Sequence, residues 1–156
     1  MDMNLMRKTE QNQLYISSMR PVLNKRALFS DTTEEYVTPS EPNPYQQIRI
    51  RFRTAKNNID YVFLVCRGER QMMMKESSDE VFDYYAIDYQ LENEKISYYF
   101  EINVGKVTGY YDVRGLNREV NEYYDFVVIP GFKTPAWAKG AVMYQIYIDR
   151  FCNGDP

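Results

Sequence analysis

The stretch QQIRIRFRT, residues 46–54, alternates without a break: Ile48, Ile50 and Phe52 fall on one side, Arg49, Arg51 and Arg53 on the other. A period of two sends successive side chains to opposite faces of a strand, so the segment predicts one buried and one solvated face. Segments that also read as strands are LYIS at 14–17, a candidate at 26–30, DYVFLVCRG at 60–68, RQMMMKE at 70–76, VFDYYAIDY at 81–89, ISYYFEIN at 96–103, GYYDVRG at 109–115 and EYYDFVVI at 122–129. The connectors KNN, LENEK and VGK are short and carry turn residues, as hairpins between antiparallel strands do. TPSEPNP at 38–44 is a proline-rich break that no central strand could hold. Before residue 134 no amphipathic helix longer than a turn or two is visible. The pattern predicts an all-β protein, an immunoglobulin-like antiparallel β-sandwich, with a closed barrel as the structural alternative.

The pattern changes at IPGFKTPAWAKGAVMYQIYIDRF. Gly131 and Pro135 frame a linker, and Val142 to Ile148 then carries apolar or aromatic side chains on both faces, as a strand covered on both sides does. The expected division is a leader at 1–12, the sandwich at 13–131, a linker at 132–140 and the start of another domain at 141–156, which the resemblance described below implies is a truncated barrel.

Composition narrows the class. The 156 residues suit one core, and aromatic residues at 15%, including 15 Tyr, fit a β-rich chain. A net charge of −3 argues against a nucleic-acid partner and against membrane-surface binding. No apolar run has the length of a signal peptide core or a membrane span, so the expectation is a cytoplasmic protein. Cys66 ends an apolar run and Cys152 lies in the terminal loop; no disulfide between them is expected.

The chain has no histidine. That excludes Ser-His-Asp and Cys-His nucleophilic arrangements and every His-ligated metal site. No C-x-x-C, no phosphate-cradling glycine loop and no G-x-S-x-G is present. Carboxylates such as Asp79 and Glu80 fall in turns and read as solvated charge, and the arginine face of 46–54 reads as pairing with acids on a neighbouring strand. On its residues alone the chain is a binding module. Adjacent tyrosines, Tyr84 with Tyr85, Tyr98 with Tyr99, Tyr110 with Tyr111 and Tyr123 with Tyr124, must send one ring of each pair to each face of a strand. An outward ring on a rigid sheet suits the apolar face of a sugar.

PAWAKGAVMYQIYIDRFCNGDP closely resembles the linker and first barrel strand of glycoside hydrolase family 13 enzymes of the neopullulanase, cyclomaltodextrinase and maltogenic amylase branch. Pro135, Trp137, Ala141, Val142, Tyr144, Gln145, Ile146, Asp149, Arg150, Phe151, Asn153, Gly154, Asp155 and Pro156 fall in register with the pattern of that branch. Upstream, RIRFRTAKNNIDYVFLVCRG, VFDYYAIDY, ISYYFEI and GYYDVRG are similar, in order and spacing, to the β-sandwich of carbohydrate-binding module family 34. The resemblance implies a longer parent that hydrolyses α-glucosidic bonds in starch, maltooligosaccharides, cyclodextrins or pullulan by the retaining mechanism. That mechanism needs a nucleophile and an acid about 5 Å apart. In the family both lie on later barrel strands, so these residues are expected not to catalyse.

The resemblance also implies that Asn153 and Asp155 supply ligands to a structural calcium in the parent. Calcium takes six to eight oxygens, so the 156 residues alone are expected to hold it weakly or not at all, and no other cofactor is implied. For the sandwich it implies two jobs, contact with α-glucan oligosaccharides and assembly of a homodimer. The candidates for glucan contact are Tyr84, Tyr85, Tyr110 and Tyr111, with Tyr45 behind them. Residues 1–131 contain no Trp, which is the larger stacking platform, and that shifts weight toward the second job. The alternative is an interaction sandwich with no sugar affinity.

Overall fold

The computed structural model of the chain describes residues 23–142. The candidate strand at 14–17, the leader, Asn153, Asp155 and nearly all of the expected barrel strand lie outside the described residues. Within them the chain forms β1 (Val37–Thr38), β2 (Gln47–Ala55), β3 (Tyr61–Cys66), β4 (Glu69–Met72), β5 (Met74–Ser78), β6 (Phe82–Gln90), β7 (Ile96–Val104), β8 (Val107–Asp112), β9 (Gly115–Asn117) and β10 (Phe126–Val128). The first sheet runs β1-β2-β6-β5 and the second β4-β3-β7-β8-β9, with β10 also on β7. Every pairing is antiparallel. This is the immunoglobulin-like sandwich that the alternation predicts.

The core lies between the two inner faces. Ile48, Ile50 and Phe52 of β2 meet Val62 and Leu64 of β3 and Tyr98, Phe100 and Ile102 of β7, all essentially without solvent contact. The ring of Phe52 sits 4.9 Å from Phe100 and 5.3 Å from Tyr111, edge-on to the latter. Each such side chain contributes roughly 1.5–3 kcal/mol by leaving water. Cys66 is a free, buried thiol whose pKa burial raises.

Two carboxylates go inside among the described residues: Asp112, paired with Arg114, and Asp83. Asp83 is 1% exposed. It accepts hydrogen bonds from the Asn57 N–H (2.9 Å) and the Ser78 hydroxyl (2.7 Å) and pairs with Lys75 Nζ at 2.8 Å. Burial alone would raise its pKa, but these three donors outweigh it and hold the carboxyl below its usual value.

Three segments differ from their expected form. Residues 26–30 are not a strand: Lys25–Ala27 make a single 3₁₀ turn, and Phe29 alone then bridges Arg53. The edge of β2 beyond that bridge is taken by β1, through Val37 opposite Ile50. RQMMMKE is two strands in two sheets. Met73, 3% exposed, donates its N–H to the Val62 carbonyl at 2.9 Å, and Met74 then pairs with Ala86 across the sandwich rim. In EYYDFVVI, Asn121 Oδ1 accepts from the Tyr123 N–H at 3.1 Å and caps a 3₁₀ turn at Glu122–Tyr124, so pairing with β7 begins only at Phe126.

Candidate functional site

Strand alternation decides which tyrosines can meet a ligand. Tyr85, Tyr98 and Tyr111 point inward, 7%, 0% and 8% exposed, whereas Tyr84, Tyr99 and Tyr110 are partly exposed on the outer faces. The expectation for Tyr85 and Tyr111 is therefore corrected. Tyr111 is packed between Phe52 and Phe126, and Tyr85 belongs to the same core. Neither ring has a face left for a sugar. Tyr84 and Tyr110 lie on different sheets, hence on opposite sides of the sandwich. Tyr45 is 69% exposed in the turn before β2, at φ 60°, where its N–H reaches the Glu92 carbonyl and its own carbonyl accepts from Gln90 Nε2 at 2.6 Å. The five candidates do not form one site.

Tyr84 does lie in a built groove. On the outer face of the first sheet, β2 presents Arg49, Arg51 and Arg53, and the register places Tyr84 opposite Arg53 and Asp88 opposite Arg49. The pairing of β5 with β6 shifts between Lys75 and Ser77. Alternation from Met74, opposite Ala86, sends Glu76 to this outer face, and the shift sets Ser77 beside it opposite Tyr84; Glu76 meets Arg49 Nε at 2.9 Å and Arg51 Nε at 3.1 Å. Arg51 is held further by the Glu35 carbonyl (3.2 Å) and Thr38 Oγ1 (2.9 Å). Arg53 lies between the rings of Phe29 and Phe82, 5.1 and 4.5 Å from their centroids.

The Tyr84 ring packs edge-on against Phe82, and its hydroxyl donates to Asp79 Oδ2 at 3.2 Å. Partial burial, then the Asp79 carboxylate, raise its pKa, so it remains a neutral phenol. Glu35, Tyr36, Arg51, Glu76, Ser77 and Tyr84 enclose a groove of about 320 Å³. A ring beside fixed carboxylate, guanidinium and hydroxyl groups can pack C–H surface while donating to and accepting from hydroxyls. Of these residues only Tyr84 was singled out from the sequence as a ligand contact. Arg51 was visible on the polar face of β2, but the strand order that sets Glu76 of β5 within its reach has no sequence marker.

The fold and groove can now be set against known proteins. Residues 23–132 match the family described as alpha amylase, N-terminal ig-like domain. The chain belongs to this family. Among curated relatives of this ig-like domain, a cyclomaltodextrinase of Thermoanaerobacter pseudethanolicus is 26% identical over 147 residues, 84% of this chain and 25% of that protein. A neopullulanase 2 of Thermoactinomyces vulgaris is 30% identical over 146 residues, 83% of this chain and 24% of its own length. A solved cyclomaltodextrinase structure superposes with a TM-score of 0.58 at 24% identity, over 83% of this chain and 24% of that one, and supports the fold. The chain thus spans about a quarter of the length of these relatives. Among the described residues no helix is long and apolar enough to cross a membrane.

Proposed function

We propose that this ig-like domain is the N-terminal, non-catalytic module of an α-glucan-degrading glycoside hydrolase, and that it contacts glucan through the groove at Tyr84. Family membership and the printed names of the relatives, cyclomaltodextrinase and neopullulanase, support the parent enzyme class. The observation that carries the contact is the groove itself: a tyrosine ring beside Arg51, Glu76 and Ser77, each fixed by the strands beneath it. Its lining sets two carboxylates, Glu35 and Glu76, against the one guanidinium of Arg51, which suits a neutral, hydroxyl-rich chain better than a polyanion.

Titration of the chain with maltoheptaose or β-cyclodextrin, followed by amide chemical shifts, tests this. Shifts centred on Tyr84, Ser77 and Arg51 that vanish in Tyr84→Ala are expected. No shift at millimolar ligand would sink the contact.

A second reading has its own support. Val127, Ile129, Phe132, Trp137 and Val142 are 42%, 50%, 61%, 79% and 81% exposed along the C-terminal part of the described chain. Such a row suits a protein surface, either a partner subunit or other parts of the parent. Sedimentation of the parent with and without residues 1–142 separates this role from glucan contact: loss of the dimer on truncation supports it, and a dimer that persists opposes it.

A further inference from the structure

We propose that the opposite outer face carries a second glucan groove, walled by Tyr99 and closed by Asp125. It rests on the reading that this module takes neutral α-glucan. The alternation of β7 sends Ser97, Tyr99 and Glu101 outward, and the register sets Val65 of β3 opposite Tyr99. Tyr110 braces the Tyr99 ring edge-on, with centroids 5.9 Å apart and planes at 81°. Val65, Arg67, Gly68, Lys95, Ser97, Tyr99, and on the far side Val120, Glu122 and Asp125, enclose about 560 Å³. This is a larger space than the Tyr84 groove.

Two groups in it lack partners. Asp125 Oδ1 is sealed from solvent and accepts no hydrogen bond from any described residue. Leaving a buried acceptor unpaired costs about 1–3 kcal/mol. Burial, followed by the neighbouring carboxylates of Glu122 and Asp112, raises its pKa, as befits a carboxyl without a donor. Lys95 on the opposite rim forms no ion pair with any described residue, whereas Arg67 is held by Glu92 and, at 3.2 Å, by Glu94.

An anionic ligand would meet Asp125 and Glu122, and a cationic one Lys95 and Arg67. A neutral polyol avoids both. Its hydroxyls donate to the exposed Glu122 carboxylate and accept from Lys95, Ser97 serves either way, and a pyranose C–H face packs on Tyr99. With grooves on opposite outer faces, one module holds two glucan segments.

The test is residue-resolved amide shift mapping of the whole chain with maltoheptaose, in wild type, Tyr84→Ala, Tyr99→Ala and Lys95→Ala. Two separate sets of shifts are expected. Tyr99→Ala removes the set at Ser97, Lys95 and Glu122 and leaves the Tyr84 set. Lys95→Ala, an exposed change that cannot unfold the sheet, weakens the Tyr99 set severalfold. Shifts at Tyr84 alone overturn the second groove and leave the proposed function standing. Shifts at Tyr99 alone do the reverse for the Tyr84 contact. No shifts anywhere overturn both, and a Tyr99 set indifferent to Tyr99→Ala and Lys95→Ala overturns the assignment of its residues.

Discussion

Among the described residues Tyr98 is the largest fully buried side chain, and its hydroxyl has no hydrogen-bond partner there. The ring itself is well placed, 5.5 Å from Phe126 in a stacked pair and 5.7 Å from Phe100 edge-on. Burial, then the Asp31 carboxylate, push its pKa upward. Tyr98→Phe keeps the ring contacts and deletes the unpaired oxygen. Desolvating that hydroxyl without a partner costs about 1–3 kcal/mol. The space it vacates, about 10–15 Å³, costs only about 0.3 kcal/mol at ~24 cal/mol per Å³. The variant is therefore expected to be more stable by about 1–2 kcal/mol. Urea unfolding followed by far-UV circular dichroism reads this as a midpoint shifted upward at unchanged slope. Tyr111→Phe is the companion. The Tyr111 hydroxyl differs in that the Ser30 backbone counters part of the rise in pKa that burial causes, so the same chemical change there should lower stability by about 0.5–1.5 kcal/mol. If Tyr98→Phe proves no more stable than wild type, the reasoning about the unpaired hydroxyl fails.

Three further outcomes follow from the packing. Phe52→Ala, in the middle of the aromatic cluster, should destabilise by about 3–5 kcal/mol in the same urea assay. Asp83→Asn should cost about 1–3 kcal/mol at pH 7, since it weakens charge-assisted bonds to Lys75, Asn57 and Ser78. The Asp83 carboxyl is depressed in the fold, so its contribution is full above the unfolded carboxylate range and lost as pH falls through the lower folded value. The gap between variant and wild type should therefore shrink at acid pH. Glu41 holds the segment after β10 through the Thr134 N–H (3.1 Å) and Lys139 Nζ (2.9 Å), and these bonds, Lys139 first, lower its pKa to about 2. Glu41→Gln should lower the fluorescence anisotropy of Trp137, the one tryptophan, while in wild type the clamp persists until pH falls through about 2.

Much of this fold was legible because β2 carries an unbroken period of two, and the tyrosine pairs obey the same rule in β6, β7 and β8. That rule states that one ring of each pair is buried. It does not say which, because both are tyrosine and the register is set by partners far along the chain. The three consecutive methionines carry no period, so the crossing between sheets at Met73 was hidden. Asn121 looks like any loop residue until its cap on Tyr123 is seen. The candidate grooves were less legible still. Glu76 reaches Arg51 only because β5 and β2 flank the same strand, β6, and Asp125 faces Tyr99 only because β10 docks on β7. Tyr84 and Tyr110 look equivalent in sequence and end on opposite faces.

The most direct measurement of the central claim is mobility of the purified chain in native gels cast with and without amylopectin. The account predicts that amylopectin slows the wild-type chain, slows Tyr84→Ala and Tyr99→Ala less, and leaves the double variant unaffected. Equal mobility of all four proteins in both gels would contradict it.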